Sequence, residues 1–490
     1  MEQDYDQEQT GVATEPTAIQ VVTEDYWLPF RVPTGLMPDR QFDGRPARLH
    51  VHRVYPKNTV TGMSVAEDAV VLIHGRTVPG PVVFDLQDPA PGLNLSLQKA
   101  LASASIDTFA PSLLGYGRST RFDEGLNDPG NASLGACPDV GCDRTLNEAI
   151  NPYDQQGTML LGGRPLVERR RHPSTYRFAR TDVWVRDIDQ LIDHARSKLP
   201  DTAPDKKVAL VGYSLGGQHV GRTLYKDNLN EQLLYADDRL YAGGLFNEEL
   251  HNREEVIDKV SRVVFVNSIF FPLAPTEDPA NPIPTFPLTL NGKTTPVIGS
   301  DANWQMPTGV PDTACHGRVI SGTQQQVWDQ TMEHETVGRA WGTPWSPPPA
   351  TAGREGGLNR APTFSGYGWN RAVAGQLSKP TLVVQGLVDG ALPLPPGTTP
   401  AAHAQAIYDA LTSVPKIDGL PNKVLVKVEC ASHAMVWEGC DPAGCTPPHL
   451  TLKNALIGWI QNQTFNDGTP SPKTTGKFTV KTNGQVTPDP

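Results

Sequence analysis

Apolar residues occur in short blocks of about five residues bounded by turn formers, alternating with longer stretches at helical spacing. The blocks predict strands at 18–23, 48–53, 69–73, 108–111, 208–212, 263–267, 381–385 and 424–428. Several, such as Val208-Ala209-Leu210-Val211 and Leu382-Val383-Val384, are apolar throughout rather than alternating, as expected of strands buried on both faces of a parallel sheet. Between them, Trp184, Ile188, Leu191, Ile192, Ala195 and Leu199 fall on one helical face after a Thr181 or Asp182 cap. Helices are also predicted over 402–411 and 450–460. The pattern reads as α/β, an eight-stranded, mostly parallel sheet with helices on both faces and an antiparallel start.

Two stretches break the alternation. One is an irregular insertion over about 121–180; the other, about 272–376, holds five of the nine tryptophans. Connections of this length exceed the few residues usual between elements, so both read as insertions. The organisation is therefore a polar, disordered start over 1–16, a core over 17–271, the second insertion over 272–376, a second core part over 377–465, and a flexible tail over 466–490. The aromatics of the second insertion suit either a satellite core or a substrate cavity, with Trp304, Trp328 and Trp341 as candidate lining residues.

Composition narrows the function. A net charge of −11 argues against nucleic acid as a partner, because that affinity depends on clustered cations. The basic cluster Arg169-Arg170-Arg171-His172 reads as a solvated face beside Glu168. No run approaches the roughly 20 apolar residues of a membrane span. The acidic start lacks a signal-like apolar segment, so a cytoplasmic location is expected, with secretion left open by the cysteines. Cys137/Cys142 and Cys440/Cys445 form two C-x4-C pairs, each fit for a disulfide or for free thiols, with a structural zinc site joining both pairs as a lesser alternative, while Cys315 and Cys430 stand apart. No H-E-x-x-H or comparable catalytic metal spacing is present, and neither metal nor cofactor is expected.

The chemistry centres on Val211-Gly212-Tyr213-Ser214-Leu215-Gly216-Gly217, a strand, a sharp turn carrying a serine, and a helix start. This is the pattern of a nucleophile elbow. A serine hydroxyl needs a base and a group to orient that base. Asp389 closes Pro380-Thr381-Leu382-Val383-Val384-Gln385-Gly386-Leu387-Val388-Asp389, and His433 follows the last predicted strand. The order is Ser, Asp, His. Glu438 and Asp441 lie near His433 but after it, and the sixth strand ends Val266-Asn267-Ser268 without a carboxylate.

With His74-Gly75 after the third strand and Gly115-Tyr116-Gly117-Arg118-Ser119 after the fourth, the chain resembles the α/β-hydrolase superfamily over about residues 45–462. The resemblance implies the α/β-hydrolase fold with a large cap insertion, the 272–376 stretch then being a cap or lid over the site. It implies Ser214 as nucleophile, His433 as general base and acid, Asp389 as its orienting partner, and the N–H groups of Leu215 and Arg76 as oxyanion hole. His74, Gly75 and Tyr213 join the candidate substrate contacts. The expected activity is hydrolysis of an ester or lactone of a bulky, apolar small molecule. Size suggests similarity to bacterial hydrolases that open macrocyclic lactones such as zearalenone. An aminopeptidase or amidase, with Glu333 and Glu335 binding an ammonium, an acyltransferase, and a non-catalytic binding protein are the alternatives. A homodimer through one of the insertions is a further expectation.

Overall fold

A computed structural model describes residues 19–33, 42–121, 159–161, 164–166, 181–224, 256–270, 285–286, 289–291, 303–335, 359–361, 364–365 and 368–489. Positions 202, 204, 205, 308, 311–314, 393, 395, 396, 442 and 443 within those spans are excepted. Its centre is a ten-stranded sheet. The strands are β1 (Ile19–Arg31), β2 (Pro46–Asn58), β3 (Asp68–Ile73), β4 (Ile106–Ser112), β5 (Val208–Tyr213), β6 (Val260–Val266), β7 (Thr381–Gly386), β8 (Lys423–Val428), β9 (Gly476–Val480) and β10 (Val486–Pro488). Their order is β1-β2-β4-β3-β5-β6-β7-β8-β9-β10. All pairs from β4 to β9 are parallel, and β1, β2 and β10 join antiparallel.

The eight expected strands all form. Alternate residues of the central strands feed two cores on opposite sheet faces, which is why those strands are apolar throughout. Ala69, Val71 and Ile73 of β3 pack with Trp184, Ile188 and Ile192 of helix α2 (Thr181–Lys198) and Val220 of helix α3 (Leu215–Leu224). Val70 and Leu72 pack with Leu97 and Leu101 of helix α1 (Leu97–Ser103) and Leu456 and Trp459 of helix α6 (Pro448–Asn462). Helix α4 (Thr323–His334) belongs to the 272–376 insertion, and helix α5 (Pro400–Ala410) precedes β8.

The tail departs from expectation. Residues 476–480 and 486–488 extend the sheet as β9 and β10, with Phe478 and Val480 buried. Its Thr, Pro, Gly and Lys content masks a short amphipathic strand that covers the open edge of β8. Apart from Arg121 and the short strands 159–161 and 164–166, the insertion at 121–180 lies outside the described residues, as does most of the 272–376 stretch, Trp341 included. No helix among the described residues is long and apolar enough to cross a membrane.

The chain order reverses beside β3, which lies between β4 and β5. The connections that follow β3 and β5 therefore run to opposite sides of the sheet, and the carboxyl ends of strands at such a reversal are the usual place for a site in an open α/β sheet.

Candidate active site

Ser214 sits between β5 and α3 at φ 57°. Such a left-handed conformation is costly for a residue with a Cβ and needs support from its surroundings. Support comes from both sides: Ser214 N–H donates to Val266 O at 2.8 Å, and Ser214 O accepts from Gly217 N–H at 3.1 Å. The surrounding glycines are steric requirements. A Cβ on Gly212 would lie 2.4 Å from Gly217 Cα, and one on Gly216 would lie 2.2 Å from Ile73 O. Ser214 is partly exposed, whereas Tyr213 and Leu215 are buried. Leu215 opens α3, so its N–H belongs to the first helical turn, where no intrahelical acceptor exists.

The loop after β3 lies against the elbow. A Cβ on Gly75 would stand 2.6 Å from Ser214 Cβ and 3.0 Å from Ser214 Oγ, so only glycine permits this approach. Arg76 follows, half-buried, and Thr77 takes φ 79°. From the 272–376 insertion, Asn359 Nδ2 donates to Thr77 O at 2.7 Å and fixes the loop. His74 is fully enclosed: its Nδ1 donates to Gly75 O at 2.6 Å and its Nε2 accepts Leu113 N–H at 3.1 Å. Burial pushes its pKa down to about 4, so it is the neutral imidazole this arrangement requires. His74 therefore shapes the loop, and both ring nitrogens are taken up by backbone instead of facing a substrate.

His433 Nδ1 and Asp389 Oδ2 are 2.8 Å apart, and both residues are buried. Asp389 Oδ1 accepts Ala391 N–H at 3.1 Å. Tyr213 also differs from the sequence expectation. Its hydroxyl donates to the backbone oxygen of His433 and its ring centroid lies 5.1 Å from the imidazole, so it holds the histidine loop against the elbow. Burial, then Asp389 and Glu438, raises its phenol pKa, keeping it a donor.

Two positions in this framework were passed over in the sequence. Asn267, at the end of β6, is fully buried at φ 47°. Its Oδ1 accepts from Gly386 N–H at 2.9 Å and Gln385 Nε2 at 3.1 Å, while its Nδ2 donates to Ser432 O at 3.0 Å and His433 O at 3.3 Å. One amide thus joins the strand leading to Asp389 with the loop carrying His433. The only sequence signal was an asparagine, tolerant of positive φ, at a strand end. The second is a disulfide between Cys315 of the 272–376 insertion and Cys430, with Cα atoms 5.3 Å apart. Cys440 and Cys445 form another, and Cys137 and Cys142 lie outside the described residues.

Trp304 and Trp328 are buried packing residues. The Trp304 ring stacks on Trp437 with centroids 5.4 Å apart, within the core under β7 and β8, and Trp328 is wholly enclosed. Trp369 is buried too, within the core on the other sheet face, so the described tryptophans of this stretch are packing residues. No group of His, Cys, Asp and Glu suited to a metal ion occurs among the described residues.

The fold and this strand-end constellation define a hydrolase-type α/β scaffold. The chain belongs to the Alpha/beta hydrolase family, whose family model matches residues 70–445. No curated protein matches it. Solved structures similar to it include a bromoperoxidase from Bacillus anthracis, with 14% identity over 80% of this chain and 90% of that one and a TM-score of 0.37. A monoacylglycerol lipase from Paleococcus ferrophilus has 12% identity over 90% and 100%, with a TM-score of 0.36. A carboxylesterase from Bacillus subtilis has 12% identity over 85% and 87%, with a TM-score of 0.36.

Proposed function

We propose that this protein is a serine hydrolase that cleaves a carboxylic ester or lactone of a bulky, apolar small molecule through an acyl-enzyme on Ser214. The observation that carries the reading is the 2.8 Å His433–Asp389 bond on a loop tied by Tyr213 to the Ser214 elbow. In this mechanism His433 takes the Ser214 proton as the hydroxyl attacks the carbonyl, and Asp389 holds the imidazole tautomer and stabilises its cation. The N–H groups of Leu215 and Arg76 receive the developing oxyanion. His433 returns the proton to the leaving alcohol, and water, activated by the same histidine, releases the acid.

The amidase alternative needs a free carboxylate in the cap for a substrate ammonium. Glu335 instead forms a buried ion pair with Arg121, which neutralises it and favours the ester reading. Two disulfides favour an oxidising compartment over the cytoplasm, where thiols stay reduced. The test is a substrate panel. Hydrolysis of p-nitrophenyl esters and macrolactones with little action on amino-acid p-nitroanilides is expected, and the reverse preference would replace this reading with the amidase.

A further inference from the structure

Glu438 is a carboxylate the catalytic scheme does not use, yet it is wholly buried five residues beyond His433. It makes no bond to the imidazole. Its Oε2 accepts Ser432 N–H at 2.7 Å, its Oε1 accepts Ser432 Oγ–H at 2.5 Å, and Arg318 Nη1 donates to the same Oε1 at 2.5 Å. Arg318, on the cap, is buried too, and its Nη2 donates to Trp304 O at 2.9 Å. The charge is thus compensated on both sides, the condition under which a buried ion pair persists. Burial pushes the Glu438 pKa up to about 6, and Arg318 and Ser432 oppose the rise.

Main-chain bonds run alongside. Ala434 N–H donates to Asn303 O at 2.9 Å, Gly390 N–H to Gln305 O at 3.0 Å, and Gly439 N–H to Arg318 O at 2.9 Å. Cap segment 303–306 therefore lies between the loop of Asp389 and the loop of His433, and Arg318 clamps the second loop through Glu438. The Cys315–Cys430 disulfide closes the same seam three residues before the histidine.

Resting on the serine-hydrolase reading above, we propose that Arg318 and Glu438 are a positioning pair through which the cap sets the register of His433 toward Ser214. Neither residue touches substrate. The pair fixes Ser432, and with it the backbone that aims the imidazole, so the cap is a part of the base's support as well as a cover. A displacement of about 1 Å in such a group is enough to cost about 100-fold in rate.

The test uses the full-length protein with Glu438→Gln and Arg318→Lys, and Asp441→Asn as a neighbouring control. Turnover of a p-nitrophenyl ester and the rate at which a fluorophosphonate labels Ser214 are measured, with melting temperature followed in parallel. A fall of 10-fold or more in kcat with KM changed less than 3-fold, matched by slower labelling, is expected in both variants and not in the control. Normal kcat and labelling in a folded variant overturns the proposal, as does failure of both variants to fold, which assigns the pair to stability alone. Absence of labelling in the unaltered protein is a different outcome and refutes the serine-hydrolase reading itself.

Discussion

Replacing Asn267 with alanine should destabilise the protein by about 2–7 kcal/mol and lower turnover, and the figure can be built from the individual bonds. Gly386 N–H loses the acceptor shown for it, at a cost of about 1–3 kcal/mol for a buried donor. The other three partners each keep a second contact: Gln385 Nε2 with Gly386 O, Ser432 O with Met435 N, and His433 O with the Tyr213 hydroxyl. Each of those losses is therefore nearer the net worth of one hydrogen bond, at most about 1 kcal/mol. Alanine at φ 47° adds about 1 kcal/mol of backbone strain. Asn267→Gly removes the strain and should be the milder variant by about 0.5–1 kcal/mol. Urea denaturation gives the stabilities, and kcat on a p-nitrophenyl ester reports the alignment of Asp389 with His433. Stability within 0.5 kcal/mol of the unaltered protein, together with full kcat, would refute the tie assigned to this amide.

Gly75→Ala should cut kcat at least 10-fold, because its Cβ would sit 2.6 Å from that of Ser214; an unchanged ester turnover would show that the loop can retreat freely. His74 and His219 have folded pKa values of about 4 and about 3, lowered by burial from the ordinary 6.5. Their stabilising contribution is full above about 6.5 and is lost as pH falls toward those values, because the unfolded chain binds protons that the folded one excludes. Urea unfolding at pH 7, 6 and 5 should then show His74→Asn flattening the decline by up to about 1.4 kcal/mol per pH unit, and an unaltered slope would count against it. Removing the Cys315–Cys430 bridge, which spans 115 residues, should cost about 4–5 kcal/mol by loop entropy, against about 2 kcal/mol for Cys440–Cys445 with its separation of 5. Equal losses in melting temperature for the two double Cys→Ser variants would contradict that account.

The sheet was legible because parallel strands buried on both faces leave continuous apolar runs, and the positions of Ser214, Asp389 and His433 at strand ends followed from those runs. Less was legible wherever meaning depends on distant partners. Burial of Trp304 against Trp437, 133 positions away in the chain, cannot be separated from a cavity-lining role by composition. The pairing of Cys315 with Cys430 leaves no spacing signature, unlike a C-x4-C pair. His74 and Tyr213 belong to the right motifs, but only coordinates show their polar atoms bound to backbone. Asn267 read as the lack of an acid; in three dimensions its amide has four partners. The tail strand 476–480 was hidden by its polar neighbours, since only Phe478, Thr479 and Val480 are buried and its ladder partners are β8, far back in the chain, and the short β10.

The central claim is that Ser214 is a nucleophile activated by His433. Incubation of the protein with a fluorophosphonate, followed by peptide mass spectrometry, tests it directly. The account predicts one adduct, on Ser214, absent in Ser214→Ala and strongly slowed in His433→Ala. No adduct on the folded protein, or an adduct on Ser214 formed equally fast without His433, would contradict it.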